Sequence, residues 1–264
     1  MHAEHLHELN RALACGKRVI SATVIEAAAG LEVGARLLVF EDGRRLGSLG
    51  NERLDEQLCR YLDEHTVVED VRVIPLEALG ELFPARIVVE LLLPKPRLVI
   101  CGAGHIARAL AQMALVLEYA VVVVDDRAEF ASRRFFPDER ITLLVGNFYE
   151  VLSQLDVSES SACVIVTRGH SHDESCLRVL LKTRPGYIGM IGSSRRVRLV
   201  KDKLLAEGFA KELLDKLYAP IGLDIGARTP QEIALAILSE IVLVKNCPQP
   251  KEVVGCRPLS LVIR

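Results

Sequence analysis

The densest chemical signal in the chain is the segment CGAGHIA at 101–107. It follows an apolar run and leads into a helical pattern. It therefore reads strand, then Gly102-x-Gly104-x-x-Ala107, then helix. Gly102 permits the tight turn, Gly104 lets a phosphate approach the backbone, and Ala107 allows close helix–strand packing. The helix start offers unpaired N–H groups and the positive end of the dipole to an anion. Asp125 closes the next apolar run, 23 residues after Gly102. An acid there can bind the ribose hydroxyls of an adenosine. The pattern points to a nucleotide or another phosphorylated cofactor, the alternative being a sheet whose glycines serve packing alone. His105, inside the loop, can contact a phosphate or cofactor ring, or be a half-exposed loop residue. Arg127 can neutralise an extra phosphate, as on NADP, or pair with Asp126.

Two further segments end on apolar runs and so face the same crevice, beyond the carboxyl ends of the strands. TRGHSHD at 167–173 groups Arg168, His170, His172 and Asp173. Arg168 suits a phosphate or a planar carbonyl system, and the histidines can move protons. H-x-H-D is not a metal signature, and Asp173 can serve as a helix cap. GMIGSSRR at 189–196 puts Gly192, Ser193 and Ser194 at a helix start, with Arg195 and Arg196 behind them. It is a second corner suited to anions, or an ordinary serine cap. A fourth segment, 220–228, carries Gly222, Asp224, Gly226 and Arg228 ahead of a helix that Thr229 caps and Pro230 starts. No nucleophile–base pair has a recognisable spacing, so no catalytic residue is assigned.

These loops need a scaffold, and the apolar runs supply it. Strands are expected at 98–101, 121–125, 141–146, 163–167 and 187–192. Helices are expected near 104–117, 147–155, 172–183, 194–207 and 230–245. Continuous β-branched runs between helices indicate a parallel sheet covered on both faces, a doubly wound, Rossmann-like α/β domain over 97–264. The first 93 residues read differently. A helix near 3–14 precedes the strand-like RVISATVIEA, and Glu41-Asp42-Gly43 signals a tight turn. NERLDEQLCRYLDEH has helical spacing at Leu54, Leu58 and Leu62, with Asn51 as its cap. Strands at 66–74 and 86–93 complete a small α+β domain. The prolines of PKPR (94–97) mark the boundary.

The 264 residues carry a net charge of -2, which gives no bulk reason to expect nucleic acid or an anionic membrane as partner. The mean hydropathy of +0.26 is high. Yet no window reaches the ~18–20 apolar residues of a membrane span, and MHAEHLHELN lacks the order of a signal peptide. A cytoplasmic location is expected. The seven cysteines are an odd number without a CxxC pair, so neither a disulfide framework nor a zinc site is expected. The apolar share fits a homo-oligomer, a dimer being the simplest.

Taken in order, CGAGHIARAL, VDDRAEFASRRFFP, TRGHSHD, GMIGSSRR and PIGLDIGARTPQEIALAILSEI resemble the XdhC/CoxI family, accessory proteins of molybdenum hydroxylases. The resemblance covers about 97–245 strongly. SATVIEA, VGARLLV and GSLG resemble that family's smaller domain. It implies a maturation factor rather than an enzyme, one that binds the molybdenum cofactor (molybdopterin) and delivers it to an apo-hydroxylase of the xanthine dehydrogenase type. A cysteine desulfurase is an implied second partner. Gly102, Gly104 and His105 would hold the phosphate end, with Arg168, His170, Asp173, Gly192 and Ser193 at the pterin. This chain has AAAGLEVG at 27–34 and GSLGNERLDE at 47–56, with no cysteine between Cys15 and Cys59. That implies binding and handing on the cofactor rather than donating sulfur. The other readings are an NAD(P)-dependent oxidoreductase and a dinucleotide-sensing module, both using Asp125 for the ribose.

Overall fold

The computed structural model describes residues 3–27, 31–65, 71–79, 85–168 and 170–247. Part of the strand expected over 66–74, the start of AAAGLEVG and Cys256 lie outside them. The chain divides into two compact units, Met1–Pro94 and Lys95–Arg264.

The first unit runs α1 (Ala3–Ala14), β1 (Val19–Glu26), β2 (Arg36–Phe40), β3 (Arg45–Ser48), α2 (Glu52–Glu64), β4 (Val71–Pro75) and β5 (Arg86–Leu92). The strands form one antiparallel sheet in the order β3-β2-β1-β5-β4. Side chains alternate across a strand, so each strand feeds two cores. Val19, Leu38 and Phe40 meet Leu9 and Ala12 of α1 on one face. Ala22, Val24, Leu37 and Val89 meet Leu54 and Leu58 of α2 on the other. Gly43, at a positive φ of 79°, makes the turn between β2 and β3. The Asn51 side chain accepts the Leu54 N–H at 2.8 Å and caps α2 as its sequence predicts.

The second unit contains β6 (Arg97–Cys101), α3 (His105–Val116), β7 (Ala120–Asp125), β8 (Thr142–Val145), α4 (Phe148–Gln154), β9 (Ser161–Ile165), α5 (His170–Thr183), β10 (Tyr187–Met190), α6 (Ser194–Ala206), α7 (Lys211–Asp215) and α8 (Pro230–Asn246). The five strands are parallel, in the order β10-β9-β6-β7-β8. This is the doubly wound α/β arrangement expected from the sequence. Leu98, Ile100, Val121 and Val123 point to α3 and α8, where Leu110, Ala114, Ile237 and Ile241 cover them. Val99, Cys101, Val122 and Val124 point the other way, under Phe148, Leu177, Leu180 and Val200. The unbroken apolar runs exist because both faces of every central strand are buried.

Three details differ from expectation. Helix α5 starts at His170, so His172 and Asp173 lie in its first turn rather than in a loop. Histidine and aspartate are weak helix formers and mask such a start. Helix α7 has no counterpart among the expected elements, five residues being too short to show periodicity. After it, Tyr218–Ile221 pairs with β10: the Tyr218 N–H donates to Ile188 O, and the Ile221 N–H to Met190 O. Among the described residues no helix is long and apolar enough to cross a membrane.

Glu240 of α8 ties this edge to the helical layer. Its buried carboxyl accepts the Tyr187 O–H at 2.5 Å and the Gly222 N–H at 2.9 Å. Burial raises its pKa above the ordinary carboxyl value, and the two hydrogen bonds only partly oppose that. The folded-state pKa thus exceeds the unfolded value of ~4.3. The associated stability is fully present below the unfolded pKa and is lost as pH rises through the folded one. In urea titrations across pH 4–8, wild type should therefore lose stability relative to Glu240→Gln as pH rises. A pH-independent difference would show that Glu240 titrates normally.

Candidate functional site

The order of strands puts the topological switch point between β6 and β9. There the chain passes from one half of the sheet to the other, and a crevice opens beyond the carboxyl ends. The loop after β6 and the loop after β9 meet there. Gly102 has φ +112°, and a Cβ on it would lie 2.6 Å from Val166 O. Its N–H donates to Val124 O at 2.7 Å, while the Val166 N–H donates to Cys101 O at 2.9 Å. Glycine is required here by both conformation and space. Gly104 is different. Its φ of -74° is ordinary, and a Cβ there would meet no described atom within 4 Å. It stands at the N-cap of α3 without a side-chain cap, with His105 exposed beside it. The helix start leaves N–H groups without an intrahelical or side-chain partner, and the space a Gly104 side chain would fill is open, which suits an anion.

Asp125 turns inward. It is 1% exposed and accepts four hydrogen bonds. They come from Ala103 N–H at 2.7 Å, Arg127 N–H at 3.0 Å, Arg127 Nε at 2.9 Å and an Arg127 terminal nitrogen at 3.0 Å. Burial works to raise its pKa, but the bonds from Arg127 and Ala103 outweigh it and hold the carboxyl below its usual range. Arg127 also stacks on Phe130, its guanidinium carbon 3.8 Å from the ring centre. The acid thus fastens the glycine loop to the end of β7.

The loops after β7 and β9 are bridged by Asp126. Its carboxylate accepts from Arg168 at 3.2 Å, and His172 Nε2 lies 3.9 Å away. The His172 ring packs against Phe148 of α4. Asp173 is fully buried. It accepts the Thr167 hydroxyl at 2.5 Å and is paired with Arg196. That pair joins α5 to the start of α6, where the Ser193 hydroxyl accepts the Arg196 N–H at 3.3 Å. Gly192 is packed closely enough that a Cβ would lie 3.1 Å from Arg196 Cδ. His170 opens α5, and its side chain lies outside the described residues.

The sequence-predicted residues therefore fall into two groups. Gly104, His105, Arg168, Ser193 and Arg195 have exposed or open positions around the crevice. Gly102, Asp125, Arg127, Asp173 and Gly192 link the loops to one another. Asp224 is exposed, while Gly222 packs against the α8 backbone. Sequence reasoning missed the buried Glu240 and the half-buried Arg108. A lone acid inside the apolar run 233–244 was the available signal for the first.

Residues 98–241 match the family model described as the XdhC Rossmann domain, and residues 12–69 that of the XdhC and CoxI family. The chain belongs to the XdhC and CoxI family. Its Rossmann unit is the part the domain model covers, so the switch-point crevice is a feature of an XdhC domain. Among curated relatives, it is 37% identical over 152 residues to the uncharacterized protein YqeB of Escherichia coli, covering 58% of this chain and 28% of that protein. It is 32% identical over 155 residues to a probable xanthine dehydrogenase component of Bacillus subtilis, covering 58% of this chain and 44% of that protein. It is 26% identical over 101 residues to the molybdenum cofactor insertion chaperone PaoD of Escherichia coli, covering 38% of this chain and 32% of that protein. The matches thus span less than half the length of each relative. A crystal structure of a xanthine dehydrogenase from Bacillus halodurans superposes with a TM-score of 0.70 at 23% identity, over 94% of this chain and 68% of that one. That likeness shows the fold.

Proposed function

We propose that this XdhC-family chain binds the molybdenum cofactor as cargo and hands it to an apo-hydroxylase of the xanthine dehydrogenase type. The carrying observation is the open α3 N-terminus at Gly104, a place for the phosphate that the pterin bears. The name of PaoD and its similarity over 101 residues support the same reading. His105 would join Gly104 at the phosphate end, and Arg168, Ser193 and Arg195 would donate to the polar edges of the pterin, with His170 at the same end of the sheet. Gly102, Asp125, Arg127, Asp173 and Gly192 would hold the loops that carry these donors. A desulfurase that acts on the cargo before delivery and a homo-oligomeric state complete the proposal. Dinucleotide binding has less support, because Asp125 already accepts four hydrogen bonds and has little capacity left for a ribose.

Gly104→Val tests this reading. The backbone there accepts a side chain, so the variant should melt within a few degrees of wild type. A branched Cβ would block the phosphate, and affinity for purified molybdenum cofactor in a fluorescence titration should fall by about tenfold or more. Wild type that binds NAD(P)H tightly and no pterin would overturn the proposal.

A further inference from the structure

One turn beyond the glycine loop, α3 carries an arginine whose charge is unmatched. Arg108 is half-buried and has no acidic partner among the described residues. The other half-buried arginines of the Rossmann unit all have oxygen partners. Arg97 donates to Asp156 O, Arg127 pairs with Asp125, Arg178 with Glu174 and Glu207, and Arg196 with Asp173. The Nε of Arg108 is buried without a hydrogen-bond partner. Burial pushes its pKa down, whereas the carboxylates beside Arg127 and Arg178 push theirs up. A guanidinium does not shed its proton at such a site, and its Nε keeps an unfilled donor that an oxyanion would satisfy.

The surroundings suit that anion. The Arg108 guanidinium carbon lies 3.5 Å from the centre of the Phe135 ring, and Arg134 sits 5.5 Å from the same ring. Stacking occupies a face of the guanidinium and leaves its in-plane donors for an oxyanion. Arg108 lines a cavity of about 310 Å³ between α3 and the start of α8, with His105, Gln112, Pro230 and Gln231. None of its lining residues is acidic. The first-turn carboxylate of α8, Glu232, is held in its own capping box by the Thr229 and Arg228 N–H groups.

We infer that this cavity is a phosphate-binding subsite, with Arg108 as the bidentate anchor and His105 and Gln231 as flanking donors. It goes beyond the cargo proposal, because it stands on Arg108 whatever occupies the glycine loop. The phosphate could belong to the loop's own ligand or to a separate molecule.

Calorimetric titration of the full chain with inorganic phosphate and with pyrophosphate, at low ionic strength, tests it. Wild type should bind, and Arg108→Gln should lose about 10- to 100-fold in affinity, the range of a charge-assisted contact. Arg108→Lys keeps the charge without the fork and should fall between them. Gly104→Val distinguishes the sources. Phosphate binding that survives in it assigns a separate anion, and loss in both variants assigns one ligand reaching both places. Wild type that binds neither probe at ~10 mM, or Arg108→Gln and Arg108→Lys that both bind like wild type, overturns the inference. The cargo proposal is read separately by the molybdenum cofactor titration of wild type and Gly104→Val, so failure here and failure there are distinguishable.

Discussion

Gly102→Ala should lower the unfolding free energy by ~3 kcal/mol and the melting temperature by roughly 6–12 °C. Two effects add. A φ of +112° is strained for any residue with a Cβ. The new methyl group would also sit 2.6 Å from Val166 O, which cannot retreat. Val166 is tied through its N–H to Cys101 O, and Gly102 itself is tied to Val124 O. Relief would require breaking a bond of the loops that meet at the switch point. Gly104→Ala, two residues away, meets neither obstacle and should cost under ~1 kcal/mol. Paired thermal melts of the two variants check the contrast. Equal melting temperatures would refute the close approach.

Asp173→Asn should cost ~3 kcal/mol in urea denaturation. The substitution keeps the size and removes the charge. Breaking a buried ion pair from one side leaves the other charge uncompensated, with a typical cost of ~3–5 kcal/mol. The lower end applies because the Arg196 side chain retains 20% exposure while Asp173 has none. Removing both charges, in Asp173→Asn with Arg196→Met, should recover ~1 kcal/mol or more of that loss. Additive losses in the double variant would count against a direct pair. Under the cargo proposal, the single variant should also weaken cofactor binding, since Thr167 and Arg196 at the start of α6 both contact Asp173.

The sequence makes the sheet legible because a strand buried on both faces leaves an unbroken apolar run. Residues 120–124 of β7 and 162–165 of β9 are such runs, and the parallel order follows from the helices between them. Caps were legible too: Thr229 accepts the Glu232 N–H and Glu232 returns the bond, as a Thr-Pro-x-Glu start predicts. The site was legible by location and less so by orientation. A spacing of 23 residues puts Asp125 beside the glycine loop, but it does not tell which way the carboxylate turns. Its oxygens face Ala103 and Arg127, a choice made by local backbone geometry. The Arg168–Asp126 contact joins residues 42 apart, and the Arg108–Phe135 stack joins neighbours from different segments on the helical side of the sheet. Pairings of that kind have no period and leave no local trace.

Asp126 acts as an internal counter-ion for two guanidiniums from the loops after β7 and β9, Arg168 at 3.2 Å and Arg127 at 3.7 Å, with the His172 ring of α5 at 3.9 Å. An anionic cargo entering the crevice would exchange one negative partner for another. The local charge balance is thus provided before the cargo arrives and again after it leaves. Such a swap makes release as feasible as capture, since each guanidinium returns to a waiting carboxylate. Both Arg168 and Asp126 keep contact with solvent, so the exchange takes place where water softens its cost. Under the cargo proposal, that symmetry would serve the chain more than a tight grip.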